Sequence, residues 1–307
     1  MLAKDKKLKI TGSIALLMAT LMWGSSFFIL KNTIDKLPLL FVLAVRFSIG
    51  AFIMGTVCFK YVVKTDKKTF FRGIILGLIL SSGYILQTFG LEHTTPATNA
   101  FLTAAYCVMV PFIGWLIFKK KPTAFNVIAA IVCLLGIGLI SLKGSFRIGI
   151  GDALTLISAI FYALQIIYNA FFIKESDFRQ LLFLELLTVA VICWIFSLST
   201  ENIPTSLSGA QWVSIIYLGI MGSCAAQFLQ IFGQKYTPAN NASIILSLEA
   251  VFGALFSVLF YHERPSGQMI AGFIVVFIAV IISEVGYDLI RSIKEKNIRK
   301  KENKGNG

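Results

Sequence analysis

Ten apolar blocks constrain this chain more than any other feature. They run over residues 10–30, 38–59, 73–91, 97–118, 123–142, 151–173, 181–199, 211–233, 239–260 and 267–289. A helix rising ~1.5 Å per residue needs about 20 apolar residues to cross the ~30 Å hydrocarbon core of a bilayer, and every block meets that need. The connectors are short and leave no room for a soluble domain. Of the 307 residues, 57% are hydrophobic and 14% charged, whereas a soluble domain carries about 25% charged residues. The expected fold is an all-α integral membrane protein with ten transmembrane helices.

The net charge of +13 would suit a nucleic-acid partner, but its placement argues against one. With the N-terminus cytoplasmic, 22 of the 28 Lys and Arg residues fall in cytoplasmic segments, five fall outside, and Arg46 lies within a span. That asymmetry is the positive-inside signal. It predicts a multi-pass plasma (cell) membrane protein with both termini cytoplasmic, a short cytoplasmic segment at 1–9 and a basic cytoplasmic tail at 290–307 that is solvated or touches anionic lipid. The first apolar run is too long for a signal peptide, and no small-x-small cleavage site follows it. The five cysteines (Cys58, Cys107, Cys133, Cys193, Cys224) fall inside spans without metal-ligand spacing and read as packing residues.

The phrase "TPATNA" at 95–100 returns as "TPANNA" at 237–242. The surroundings return with it. Gln87 aligns with Gln230, Gly90 with Gly233, Asn99 with Asn241 and Pro122 with Pro265. "GSIALLMATLMWGSSF" in helix 1 aligns with "GDALTLISAIFYALQI" in helix 6, placing Trp23 opposite Tyr162 and Ser26 opposite Gln165. Helices 1–5 (10–142) are therefore repeated as helices 6–10 (151–289). Five is odd, so the second copy enters from the other face, giving an inverted repeat of the kind that builds secondary transporters with a midplane site between the halves. Thr95-Pro96 and Thr237-Pro238 read as N-cap followed by proline at the first helical position.

These segments resemble a known family. "WGSSFFILKNTI" and "AVRFSIGA" are similar to the helix 1 and helix 2 signatures of the EamA domain of the drug/metabolite transporter superfamily. "NAFLTAAYCVMVPFIGWLIFKKKP" and "ILSLEAVFGALFSVLFYHERP" resemble the two copies of its most recognisable stretch. The resemblance covers about 280 residues. Ala250 departs from it, standing where proline usually follows the Glu of helix 9, and Tyr162 stands where helix 6 often has Trp. The resemblance implies ten helices around a central cavity and the export or import of small metabolites, with the substrate left open.

Polar residues at bilayer depth are costly and mark cavities or partners. Glu249 lies about ten residues into helix 9, near the midplane, and suits either a cationic group, a proton or a structural hydrogen bond. Arg46 in helix 2 has no mate in the repeat, where Thr188 stands, and reads as a structural anchor, paired with Glu249 or Glu185 or held by helix-end carbonyls. Glu185 itself reads as lying near the membrane interface. Gln87, Gln227 and Gln230 add amides. Tyr162, Gln165 and Asn169 share one face of helix 6. Trp23 and Ser26 come from helix 1, Asn99 and Tyr106 from helix 4, and Asn241 from helix 9. Together they are the candidate substrate-binding set, with Asn99 and Asn241 as rim or gate residues; interhelical hydrogen bonding is the plainer reading of each member. Pro111 is expected to kink helix 4, and Gly73, Gly77, Gly136 and Gly138 to admit close helix contact.

No HExxH, phosphate loop or nucleophile elbow occurs, so the expectation is a non-enzyme without cofactor or metal. The favoured function is a secondary transporter that moves a small polar metabolite, such as an amino acid or amine, by alternating access. The alternatives are a lipid-handling membrane protein and a non-transporting receptor on the same fold. The expected partners are the small-molecule substrate, the lipid bilayer and no nucleic acid. Protons as coupling ion, monomer against homodimer, and import against efflux all stay open.

Overall fold

The computed structural model describes residues 2–119, 121–141, 149–261 and, apart from 269, 273 and 284, 267–286. The basic tail, and the connectors carrying Lys143, Arg147 and Arg264, lie outside the described residues. All regular structure among the described residues is helical. The long helices are α1 (Leu2–Ile34), α2 (Leu39–Val57), α3 (Lys67–Glu92), α4 (Pro96–Phe118) and α5 (Ala124–Ser141). They continue with α6 (Ile150–Phe172), α7 (Phe178–Thr200), α8 (Gly209–Gln234), α9 (Ala239–Phe260) and α10 (Ile270–Ser283). Eight are long and apolar enough to cross a membrane; α5 and α10 are apolar over shorter described stretches. The outer surface is itself apolar: Phe52 is 75% exposed, Leu198 67% and Leu116 66%. Side chains of that size and exposure around the whole bundle require lipid rather than water.

The packing carries the repeat. α1 packs against α8 and α9; α6 packs against α3 and α4. These are equivalent contacts under the exchange of halves. Two glycine contacts make the correspondence explicit. At the face where α1 begins, called here the N face, a Cβ on Gly233 would lie 2.8 Å from the carbonyl oxygen of Gly12. At the opposite face a Cβ on Gly90 would lie 2.8 Å from the carbonyl oxygen of Gly151. Gly12 and Gly151 are aligned in the repeat, as are Gly90 and Gly233. The same backbone-to-backbone approach therefore joins a pair of helices near each face of the bundle. Gly73 and Gly77 likewise admit Leu184 and Thr188 of α7.

Helices α4 and α9 are both interrupted, at Ala105 and Ser247. The two positions are aligned in the repeat. The break in α4 falls before Pro111, which sits inside the continuous helix Tyr106–Phe118. The aligned position in α9 is Gly253 or Ala254, and α9 is interrupted without a proline there. In α9 the Ser247 hydroxyl donates back to Ile244 O at 2.7 Å, a bond that bends helices.

The two threonine–proline phrases behave differently. Thr95 caps α4, accepting from the Thr98 N–H at 3.2 Å, with Pro96 at the first helical position. Thr237 does not cap α9: its own N–H bonds back to Gly233 O at 3.0 Å, so it closes α8, and its hydroxyl finds no partner. α2 begins after Pro38 and has no cap of its own. Glu201, at the end of α7, supplies one across the bundle, accepting from the N–H groups of Leu40 and Phe41 at 2.8 Å each.

At the N face, Glu175 in the turn between α6 and α7 binds Arg72 at 2.6 Å and Lys68 at 2.8 Å. Hydrogen bonds from these two cations, Arg72 first, hold its carboxyl down at about 2. The turn is thereby lashed to the start of α3.

Candidate functional site

A cavity lies at the middle of the bundle, walled by α1, α2 and α3, by α4 and α6, and by α8 and α9. The space open to the centres of water molecules is about 40 Å³. One water needs about 10–15 Å³ by this measure, so the cavity suits a molecule of a few heavy atoms.

Nine of the candidate binding residues meet here: Trp23 and Ser26 from α1, Gln87 from α3, Tyr106 from α4, Tyr162 and Gln165 from α6, Gln227 and Gln230 from α8, and Glu249 from α9. Arg46 joins them from α2. Three candidates do not line the cavity. Asn99 ties the first turn of α4 to its neighbours, donating to Thr155 Oγ1 at 2.7 Å and to Gln87 O at 3.1 Å. Asn241 does the same for α9, donating to Ser283 O on α10 at 2.9 Å. Asn169 is buried one turn beyond Gln165 toward the N face. In this structure the paired asparagines are helix ties rather than rim residues.

Two hydrogen-bonded sets shape the wall. Gln87 accepts from the Tyr162 hydroxyl at 2.7 Å and donates to Thr103 Oγ1 at 2.9 Å. Its repeat mate Gln230 donates to Gln165 Oε1 at 2.9 Å, and Gln165 donates to Glu185 Oε1 at 2.8 Å. Glu185 is 1% exposed. It is enclosed rather than exposed at the end of its helix, because α2 and α3 both pack on α7 and cover that helix face.

A π-helical segment in α8, Leu218–Ala225, fixes the other wall. The wider turn offers backbone and side-chain acceptors inward, a recurrent feature of functional sites. Gly222 O accepts from the Trp23 indole N–H at 2.9 Å, and Ser223 Oγ accepts from Arg46 Nε at 2.8 Å. The Arg46 guanidinium lies 5.2 Å from the ring centre of Tyr84, which meets Tyr162 edge-on at 5.6 Å. The ion pair expected of Arg46 does not form among the described residues, because Ser223 takes its Nε and the aromatic rings its face.

The unused hydrogen-bonding capacity points to what the cavity holds. Tyr106 OH lies beside Glu249, close enough to act on its carboxyl but without a hydrogen bond of good geometry, and among the described residues Glu249 Oε1 and Gln227 Oε1 accept no such bond. The terminal nitrogens of Arg46 make no hydrogen bond to the described residues. One wall therefore offers a carboxylate and a phenol, another a guanidinium, and amides lie between. Tyr84, which also lines the cavity, was not among the candidates. Tyr84 stands three residues before Gln87 on the same helical face, a signal the sequence does carry.

A lipid-facing bundle of two interlocked repeats, around a largely apolar cavity with a few inward polar groups, fits a multi-pass membrane transporter. The EamA-like transporter family matches residues 10–142 and again 149–284. An uncharacterized transporter of Archaeoglobus fulgidus is 27% identical over 89% of this chain and 86% of its own length. The uncharacterized transporter YoaV of Bacillus subtilis is 20% identical over 88% and 95%. Solute carrier family 35 member F2 of Mus musculus is 21% identical over 70% and 60%. A solved crystal structure superposes with a TM-score of 0.75 at 15% identity, covering 89% of this chain and 96% of that one; it supports the fold. The chain belongs to the EamA-like transporter family.

Proposed function

We propose that the protein is a secondary transporter for a small zwitterion, such as an amino acid, carried across the plasma membrane by alternating access with both termini cytoplasmic. One observation carries the reading: Arg46 and Glu249 line the same mid-membrane cavity and do not pair with each other. Opposite charges left apart at bilayer depth are expensive. A ligand bearing both charges offsets that cost at one stroke, with its carboxylate on Arg46 and its ammonium between Glu249, Tyr106 and the aromatic wall. The family supports transport, and the inverted repeat supports alternating access.

A thermal-stability screen of the detergent-purified protein tests this, with amino acids, amines, sugars, nucleosides and phosphorylated metabolites as the panel. A ligand at a hundredfold excess over its Kd stabilises by about 2.7 kcal/mol. The expected hit is a zwitterion, lost in both Arg46→Met and Glu249→Gln. A hit confined to another class of the panel, or one that both variants keep, overturns the reading.

A further inference from the structure

Glu185 lies behind the cavity wall, and zwitterion binding gives it no task. It stands seven residues into α7, roughly 10 Å from that helix's start at the N face. Its Oε1 is joined to the cavity through Gln165 and Gln230, at 2.8 and 2.9 Å. Its Oε2 has no hydrogen-bond partner. The helices around α7 bring Arg46 on α2, Tyr84 on α3, Tyr162 on α6 and Cys224 on α8, with Cys58 and Arg72 nearer the N face. None is ion-paired or hydrogen-bonded to it. Arg46 is turned to Ser223, Arg72 to Glu175, and Tyr162 to Gln87. An ionised carboxylate without a counter-charge is costly at this depth. A proton on Oε2 removes that charge, and water reaching it supplies the hydrogen-bond partner it lacks.

A second observation shows where water would come from. Buried polar atoms without partners continue from this point toward the N face. Asn169, one turn beyond Gln165 on α6, has both amide atoms unpaired; Gln234, one turn beyond Gln230 on α8, has an unpaired Oε1; Thr237, where α8 ends, has an unpaired hydroxyl. Each of the three is at most 4% exposed. Unpaired buried groups in a row are the capacity that internal water uses.

We propose that Glu185 is a proton-binding site that exchanges its proton with the cytoplasm along the α6–α8 seam and reports its state to the cavity through Gln165. The step is a single transfer: a hydronium from the cytoplasmic side gives its proton to Glu185 Oε2 and leaves as water. The ionised carboxylate grips the Gln165 amide by a charge-assisted bond; the neutral acid grips it less. Protonation thus frees the Gln165 Nε2 to turn toward cargo. The coupling to cargo and the cytoplasmic side of the exchange rest on the transporter reading above, whereas the proton site itself does not.

The test uses wild-type protein in liposomes. Infrared difference spectra between acid and alkaline buffers read carboxylic-acid carbonyls, and labelling with dicyclohexylcarbodiimide, followed by peptide mapping, reads protonated membrane carboxyls by position. The expected result is label on Glu185 that falls as pH rises, with a carboxylic-acid band that Glu185→Gln removes and Glu249→Gln keeps. Absence of label on wild-type Glu185 at every pH overturns the proposal even if the variant fails to fold. Counterflow of radiolabelled amino acids separates the two readings. Exchange by wild type without titration of Glu185 sinks the proton site alone; titration without exchange of any amino acid sinks the cargo reading alone.

Discussion

The cap that Glu201 places on α2 is testable in isolation from transport. α2 enters the membrane behind Pro38, which has no side chain able to accept from the first turn. Both oxygens of Glu201 are used, on the N–H groups of Leu40 and Phe41, and Ser197 donates to Oε2 at 2.8 Å. Leu40 and Phe41 are buried, so water does not readily replace the carboxylate. Leaving one buried N–H unpaired costs ~1–3 kcal/mol, and deletion of ordinary N-caps costs ~0.5–2 kcal/mol. Two such bonds place Glu201→Ala at about 2–4 kcal/mol of lost stability by these rules. Glu201→Gln keeps one acceptor and should lose about half of that. Reversible SDS titration followed by circular dichroism measures the difference, with the exposed neighbour Ser199→Ala as control. A Glu201→Ala protein within about 0.5 kcal/mol of wild type, the range of ordinary surface substitutions, would refute the reasoning.

Two further outcomes follow. Glu175 is held at about 2 against an ordinary 4.5, so its tie between the α6–α7 turn and α3 is complete above pH 4.5 and is lost as the pH falls toward 2. Proteolysis of that turn in wild type should therefore rise only in acid, whereas Glu175→Gln should show the same cleavage at neutral pH; equal resistance of the two proteins at neutral pH contradicts the tie. The proposed orientation places Lys36 outside the cell and Lys64 inside. In a cysteine-free background, Lys36→Cys should react with an impermeant maleimide in intact cells and Lys64→Cys only after lysis, and the reverse pattern inverts the orientation.

The helices were legible because a bilayer fixes their length, and apolar blocks of that length have no other use. Their ends were less so. α1 begins at Leu2 and α3 at Lys67, several residues before the apolar blocks, because Lys and Thr continue a helix beyond the hydrocarbon without breaking it. The meeting of Gln87, Gln230, Tyr162 and Gln165 follows from the repeat, which places aligned residues at matched depths. The π-helical turn of α8 could not be read: "LGIMGSCA" carries no proline or charge to announce it. Without that turn there was no reason to give Arg46 a serine rather than an acid. Nor could a local reading find Glu201, whose partners lie 160 residues away in sequence, at a helix start that itself looks uncapped. Asn99 and Asn241 show the opposite limit, since a repeat marks two residues as equivalent without telling a tie from a gate.

Counterflow in proteoliposomes tests the central claim most directly. Vesicles loaded with an unlabelled amino acid mixture are diluted into trace radiolabelled amino acids, with wild type, Arg46→Met and Glu249→Gln compared at equal incorporation. The account predicts transient accumulation of label by wild type for at least one small amino acid and none by either variant. Accumulation that survives the loss of both charges, or its absence for every zwitterion while another chemical class exchanges, would contradict the assignment of this cavity.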